Sequence, residues 1–408
     1  MFLHADTVAV AIDKLQAISD FAQTEALPLA GCLGRTLAME VMATENMPYF
    51  RRSVVDGYAV QSADVATATM DTPAVLTCKG YVPIGTFSSL TVGPGECAEI
   101  GTGGALPTGA DAVVMMEYSE VLPDGRIALG QALKPGQQVV PIGDDFQQGT
   151  SLLQRGKVLS PYDLGLLATA GIGQASVYKQ PRVSLLVTGS ELVPPTAPVT
   201  AGKVRDANQT ILSALATSLG YSVVHSQHLP DDHANIEVAI RHACTVSDLV
   251  LVSGGSSKGK ADHNRQIIDR VTQGGVFTHG LGLKPGKPTI LAHDATTHTV
   301  IAGLPGNPMS ATVVFKLVFG ELLQRLTHQL VPRPLPAVLT QTIHSDPGKR
   351  TLILCHLLPS PEGLGYLAEP ISYRSAHVHT LSRADGYLLF DEKTYAQPAG
   401  ATVWVYPL

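Results

Sequence analysis

Apolar residues recur at helical spacing near the start of the chain, at Val8, Ala11, Ile12, Leu15 and Ile18, and predict an amphipathic helix that ends before Pro28. From Pro28 to Val158 the period shortens. Apolar or alternating runs at 74–77, 112–115 and 126–129 are separated by Gly and Pro turns, which reads as β-rich structure, and 161–170 reads as a helix with Leu164, Leu167 and Ala168 inward. After Pro181 the class changes again. Residues 183–187 read as a buried strand. Asn208 stands where it can cap a helix carrying Ile211, Leu212, Leu215 and Leu219, closed by Gly220. A strand at 221–225, a helix through Ile236, Ala239, Ile240 and Ala243, a strand at 249–252, a strand at 301–303 and a helix at 310–326 complete an alternating pattern. Strands and helices alternating at this length imply a parallel, doubly wound sheet with helices on both faces. The prolines of 331–336 read as a stiff linker, and short strands return from 337 to the end.

The fold expected is therefore a multidomain α/β protein in three parts. Residues 1–178 form an elongated β-rich N-terminal region of two interleaved subdomains, 179–330 a doubly wound α/β sheet domain and 331–408 a small all-β C-terminal domain. With 408 residues, core burial is not limiting, and 39 glycines with 28 prolines agree with many tight turns. A formal net charge of −6 argues against a general nucleic-acid binder, so any polyanion site must be local. The five cysteines are scattered without a C-x-x-C pair, which suggests reduced, buried thiols. Asp6 and Asp13 interrupt the N-terminal stretch, unlike a signal peptide, and no run approaches the ~20 apolar residues of a membrane span. The expectation is a cytoplasmic protein without membrane partners.

Three glycine-rich turns, each after an apolar run, carry the chemistry. They are Gly254-Gly255-Ser256-Ser257-Lys258-Gly259-Lys260-Ala261-Asp262, Lys284-Pro285-Gly286-Lys287-Pro288 and Leu304-Pro305-Gly306-Asn307-Pro308. Glycine lets backbone N–H groups converge on an anion, and lysines neutralise it. Gly254-x-x-x-x-Gly259-Lys260 has the spacing of a phosphate-binding P-loop, but Ala261 stands where a Mg²⁺-holding hydroxyl is required, which disfavours a P-loop NTPase. Ligands of doubly wound sheets gather beyond the carboxyl ends of the strands, where these turns lie.

These segments, with Ser53-Val54-Val55-Asp56-Gly57-Tyr58-Ala59-Val60, Gly101-Thr102-Gly103, Gly109-Ala110-Asp111-Ala112-Val113-Val114, Gly143-Asp144-Asp145, Thr188-Gly189-x-Glu191-Leu192, Asp206-x-Asn208 and Asp231-Asp232, resemble the MoeA and gephyrin E-domain family of molybdopterin molybdenumtransferases, in the family's order over about 300 residues. The resemblance implies a Mg²⁺-assisted reaction in which molybdate is inserted into adenylylated molybdopterin, giving molybdenum cofactor and AMP. By carry-over, Asp56, Thr102, Asp145, Glu191, Asp231 and Asp262 are the catalytic candidates, with Asp56, Asp145 and Glu191 as candidate metal ligands. Gly254, Gly255, Ser257, Lys258, Gly259, Lys260, Lys284, Gly286, Lys287, Pro305, Gly306, Asn307 and Ser310 are the substrate-binding candidates. Family members are homodimers with the cleft shared between subunits, and the split of these residues between the two halves of the chain suggests the same here. Molybdopterin adenylyltransferase and molybdoenzyme maturation proteins are the further partners implied. The alternative class is a non-catalytic scaffold or carrier for molybdopterin or its cofactor; the presence of Asp56 and Asp262 favours the enzyme.

The chain departs from its relatives in places. Gly280 stands where a basic residue is usual, and Lys258 and Lys260 add charge to the first turn, as though charge had been relocated there. In the last domain Arg350 is followed by Thr351-Leu352-Ile353-Leu354-Cys355-His356 without the second arginine of the family, and His377 and His379 sit at strand spacing.

Overall fold

A computed structural model describes residues 5–254, 260–331, 333–361, 363, 365–372 and 378–408, with the backbone alone at 260–262. Two compact units form. One, here the β-rich unit, gathers Glu40–Gln154 and Pro161–Gly173; the other, the α/β unit, gathers the chain up to Met39, Arg155–Ser160 and Gln174–Leu408.

The β-rich unit is built on strands β1 (Gly57–Val60), β2 (Ala74–Val82), β3 (Glu96–Ile100), β4 (Ala112–Met115), β5 (Ser119–Val121) and β6 (Ile127–Leu129). They lie in the order β4-β1-β3-β2-β6-β5, antiparallel except for β2 with β3. Strand β1 is buried on both sides. Tyr58 and Val60 pack with Leu76, Cys97, Val114 and Leu129, while Ala59 faces the opposite way, toward Val82, Ala98, Ile100 and Val113. In the Pro161–Thr169 helix Leu167 is buried, but Ala168 is exposed and Asp163 takes an inward place.

In the α/β unit, α1 (Val8–Ile18) precedes a sheet of β7 (Arg182–Thr188), β8 (Ser222–Leu229), β9 (Leu249–Ser253), β10 (Val276–His279), β12 (Ile290–Asp294) and β13 (Thr299–Leu304); β11 (Leu283–Lys284) belongs to another sheet. The order is β8-β7-β9-β13-β12-β10. The first four strands are parallel, as periodicity predicts, but β12 runs antiparallel to β13, and β10, antiparallel to β12, returns to the direction of the first four. Residues 295–298 explain the change, since so short a connection from β12 to β13 can only make a hairpin.

The predicted two-faced burial is met residue by residue. Val183, Leu185, Val187, Leu249, Leu251, Val300 and Ala302 face α1, α2 (Asn208–Ser218) and the helix opened by α5 (Pro308–Val314); Leu186, Val250, Val252 and Ile301 face α3 (His233–Val246) and α4 (Lys260–Val271). From α5 the helix continues through a π turn, Phe315–Gly320, into α6 (Glu321–Leu326).

The C-terminal strands begin earlier than the expected linker allows, because Leu335 and Pro336 already pair with Val405 and Trp404. Strands β14 (Leu335–Leu339), β15 (Arg350–Pro359), β16 (Tyr366–Pro370), β17 (Gly386–Phe390) and β18 (Thr402–Pro407) close a barrel in the order β15-β16-β14-β18-β17, with β17 pairing back to β15. Leu339, Cys355, Ala368, Leu388 and Val405 fill it. His379 opens a short helix, α7 (His379–Arg383), rather than a strand, and His377 lies outside the described residues. All five cysteines are free thiols, and burial pushes those of Cys97, Cys244 and Cys355 up to about 12. Among the described residues no helix is long and apolar enough to cross a membrane.

Candidate functional site

Because β7, β9 and β13 are parallel, their carboxyl ends emerge along one edge, and a cavity of about 620 Å³ opens there. Thr188 and Ser253 end two of these strands; with Glu191, Asp206, Asn208, Asp231, Gly254, Gly306 and Asn307 they line it. Gly254 is required by the close approach of β7. With φ +131, an added Cβ would lie 2.1 Å from the Thr188 carbonyl oxygen.

Asn208 does not cap α2, as its position suggested. Its buried amide Nδ2 donates to Ser253 Oγ and to the Gly306 carbonyl, each at 2.8 Å, and so ties the ends of β9 and β13 to α2. Asp206 receives the helix N–H instead, from Gln209 at 3.1 Å. Asn264 makes a similar clamp, donating to the Gly254 carbonyl at 3.0 Å. These three residues were not among the candidates; the Asp206-x-Asn208 match was the one signal for two of them, and Asn264 carried none.

Buried side-chain oxygens are normally paired. In this cavity wall Thr188 Oγ1, Asp206 Oδ2 and Asn208 Oδ1 have no hydrogen-bond partner among the described residues. The last two can only accept, so the wall is matched to a ligand rich in N–H or O–H donors. Glu191 is exposed at the rim, and the Asp231 N–H donates to Ser190 Oγ at 3.0 Å. The neighbouring Asp232 caps α3, accepting from Asn235 N–H at 2.8 Å.

Among the described residues, none of the remaining candidates of this unit lines the cavity. Pro305 and Ser310 are buried, Pro305 next in sequence to the lining residue Gly306 and Ser310 in the first turn of α5. Of the first glycine turn, Gly255, Ser257, Lys258 and Gly259 lie outside the described residues; Lys260 opens α4 and Asp262 falls in its first turn, their side chains likewise outside. In the second turn Lys284 forms an ion pair with Asp346 at 2.8 Å. Gly286, at φ +133, lets the backbone pack on α5, where a Cβ would meet Val314 Cγ2 at 2.7 Å; the Lys287 carbonyl accepts from Leu281 and Thr289. Gly280 has φ +106, so the basic residue usual in relatives would be strained there.

The β-rich unit holds the other constellation. Asp56 Oδ1 accepts from the Thr102 N–H at 2.7 Å and from Thr102 Oγ1 at 3.0 Å. These bonds, the backbone one first, hold the exposed Asp56 carboxyl below the usual carboxylate range, so it is ionised at neutral pH. Gly57 fixes its position: a Cβ there would lie 1.9 Å from the Val114 carbonyl oxygen, so only glycine lets β1 pair this closely with β4. Asp145 is exposed in a turn held by its N–H to the Met47 carbonyl at 3.0 Å. Thus Asp56 and Thr102 are brought into contact, whereas Glu191, Asp231 and the glycine turns belong to the other unit.

Among the described residues no three His, Cys, Asp or Glu side chains gather where they could hold a metal ion. The ionised carboxylate of Asp56, with Oδ2 unpaired among the described residues, fits a common mode of Mg²⁺ binding, in which one carboxylate and a ligand's phosphates share the ion.

Comparison with known proteins agrees with this layout. The family model for the MoeA N-terminal region (domain I and II) matches residues 6–171, that for a probable molybdopterin binding domain 184–325, and that for the MoeA C-terminal region (domain IV) 336–408. The chain is similar to the molybdopterin molybdenumtransferase of Haemophilus influenzae, 30% identical with 94% of each chain covered. It is also similar to molybdopterin molybdenumtransferase 2 of Mycobacterium tuberculosis, 32% identical over 94% of each chain. Among solved structures, the molybdopterin biosynthesis MoeA protein from Pyrococcus horikosii superposes with a TM-score of 0.81 at 30% identity, covering 98% of both chains.

Proposed function

Because the chain belongs to the MoeA family of molybdopterin molybdenumtransferases, transferases of molybdenum cofactor biosynthesis, we propose that its substrates are adenylylated molybdopterin and molybdate and that AMP is released as the cofactor forms. The observation that carries this reading is the cavity at the strand ends, with its buried accepting oxygens of Asp206 and Asn208. A pterin offers ring and amino N–H donors, the complement of such a wall.

The chemistry balances without another reactant. Ligation of molybdate by two thiols expels one oxo group as water; opening of the phosphoanhydride consumes one water and frees AMP. Lys284 and Lys287 draw the oxyanion, and the N–H groups at the start of α5, with Asn307 and Ser310, donate to it. Asp56, kept ionised by Thr102, is the carboxylate that would hold Mg²⁺ with the substrate's phosphates, with Asp145 and Glu191 as further oxygen donors. When bound, that ion supplies charge neutralisation at the anhydride. Asp231 orients substrate at the rim of the cavity, and Asp262 serves pterin recognition or metal handling.

The active form is a homodimer whose site is shared between subunits, working in the cytoplasm beside the adenylyltransferase that supplies its substrate and the maturation proteins that receive its product. The test is molybdate-dependent AMP release from adenylylated molybdopterin. Wild-type protein should release AMP, and Asp56→Asn and Asp262→Asn should not. Co-expressed Asp56→Asn and Asp262→Asn chains should recover about a quarter of wild-type activity if half the dimers are mixed and each mixed dimer has one intact site. Ligand binding without AMP release by the wild-type protein would overturn the assignment.

A further inference from the structure

Strand β11 is a two-residue segment of the second glycine turn that adds to the edge of the C-terminal barrel. Leu283 lies opposite Arg350 and Lys284 opposite Thr351, and the Arg350 N–H donates to the Gly282 carbonyl at 2.8 Å. This pairing carries Lys284 to the turn that precedes β15. That turn is itself fixed: Ser345 N–H donates to the Tyr395 carbonyl at 2.9 Å, Gly348 N–H to the Glu392 carbonyl at 3.1 Å, and Gly348 takes φ +72.

Asp346 stands in the middle of it. Its Oδ1 receives Lys284 Nζ at 2.8 Å and its Oδ2 receives Lys349 Nζ at 2.8 Å, one ammonium for each carboxylate oxygen. The Lys284 and Lys349 hydrogen bonds hold the Asp346 carboxyl down at about 2. All three side chains remain within reach of solvent, Lys284 51%, Asp346 38% and Lys349 34% exposed. Two cations converging on one small anion form the charge pattern of an oxyanion site, and here the anion is supplied by the protein.

We infer that Asp346 is a built-in competitor for the oxyanion: it holds Lys284 and Lys349 together while the site is empty and must be displaced before a tetrahedral dianion can take both ammonium groups. The inference rests on the proposed role of Lys284 in binding molybdate, and it adds Lys349 as a second ligand. It makes Asp346 the residue that sets oxyanion affinity. Removing its charge leaves both lysines attracted to the incoming dianion and removes a nearby repulsion.

Equilibrium dialysis of the full chain against molybdate at low ionic strength, with protein-bound molybdenum measured by mass spectrometry, tests this. Asp346→Asn should bind molybdate about three- to tenfold more tightly than wild type, since two solvent-exposed pairs are at stake. Lys284→Ala and Lys349→Ala should bind it more weakly, and more salt should narrow every difference. Weaker binding in Lys284→Ala without tighter binding in Asp346→Asn overturns the competitor role alone. Unchanged binding in Lys284→Ala overturns the reading of Lys284, and this inference with it. Circular dichroism of each variant separates these results from loss of fold.

Discussion

At the scale of single residues, the motif match brought Asp56 and Thr102 into view, and the structure joins them through two hydrogen bonds of 2.7 and 3.0 Å. Both bonds favour the charged carboxylate, so Asp56 loses its charge only as pH falls through a depressed value. Thr102→Val deletes the hydroxyl bond and keeps the N–H. The Asp56 pKa should then rise part of the way toward the ordinary range, seen by NMR titration of its carboxyl carbon, and the acid limb of AMP release should move to higher pH with it. An unmoved titration would mean that the hydroxyl contributes nothing. Asn208 was less legible. Standing before an amphipathic run, it reads as a cap, and nothing local reveals that Ser253 and Gly306, 45 and 98 residues on, come to its amide. Asn208→Ala leaves those two oxygens without their donor and should cost about 1–3 kcal/mol in denaturant unfolding. It should also weaken substrate binding; full stability and unchanged KM would remove Asn208 from the site.

At the scale of elements, strands such as β7 and β9 were plain because their apolar runs are bounded by turn residues. Direction was not, since an apolar run looks the same parallel or antiparallel, and only the short link at 295–298 decides it for β12. Glycines were likewise visible as turn formers but not as close contacts. Gly57 shows the difference. Its Cβ position lies 1.9 Å from the Val114 carbonyl oxygen and 3.1 Å from the Met115 Cα, at the end of the β1–β4 pairing where Gly57 lies opposite Met115. Gly125, in the turn before β6, has φ +84 but nothing within 4 Å. Gly57→Ala should therefore cost more than about 3 kcal/mol and displace Asp56, while Gly125→Ala should cost about 1 kcal/mol from its φ alone. Similar losses from both in urea unfolding would show that the β1–β4 pairing can relax around a methyl group.

At the scale of the whole molecule, periodicity announced that the N-terminal helix buries a face but could not say against what. Val8, Ala11, Ile12 and Leu15 are fully buried in the same core as Leu185 and Leu251 of the sheet, and as Tyr221, Phe315 and Leu322. A helix distant in sequence thus helps close the face of the sheet that carries α2 and α5, the elements whose starts form the cavity wall. The β-rich unit has cores of its own, around Tyr58 and Val114 on one face of its sheet and Ala59 and Val113 on the other. Leu15→Ala should consequently act on one unit. Truncating a fully buried leucine costs about 2–5 kcal/mol, and hydrogen exchange followed by mass spectrometry should show the loss as faster exchange in β7, β9, β13 and the helix at 308–326. Protection of β1 and β4 should stay as in wild type, and so should the Asp56 titration. Faster exchange spread evenly through both units would mean that they unfold as one cooperative body, and that a lesion in the first helix reaches Asp56 as readily as it reaches Asn208.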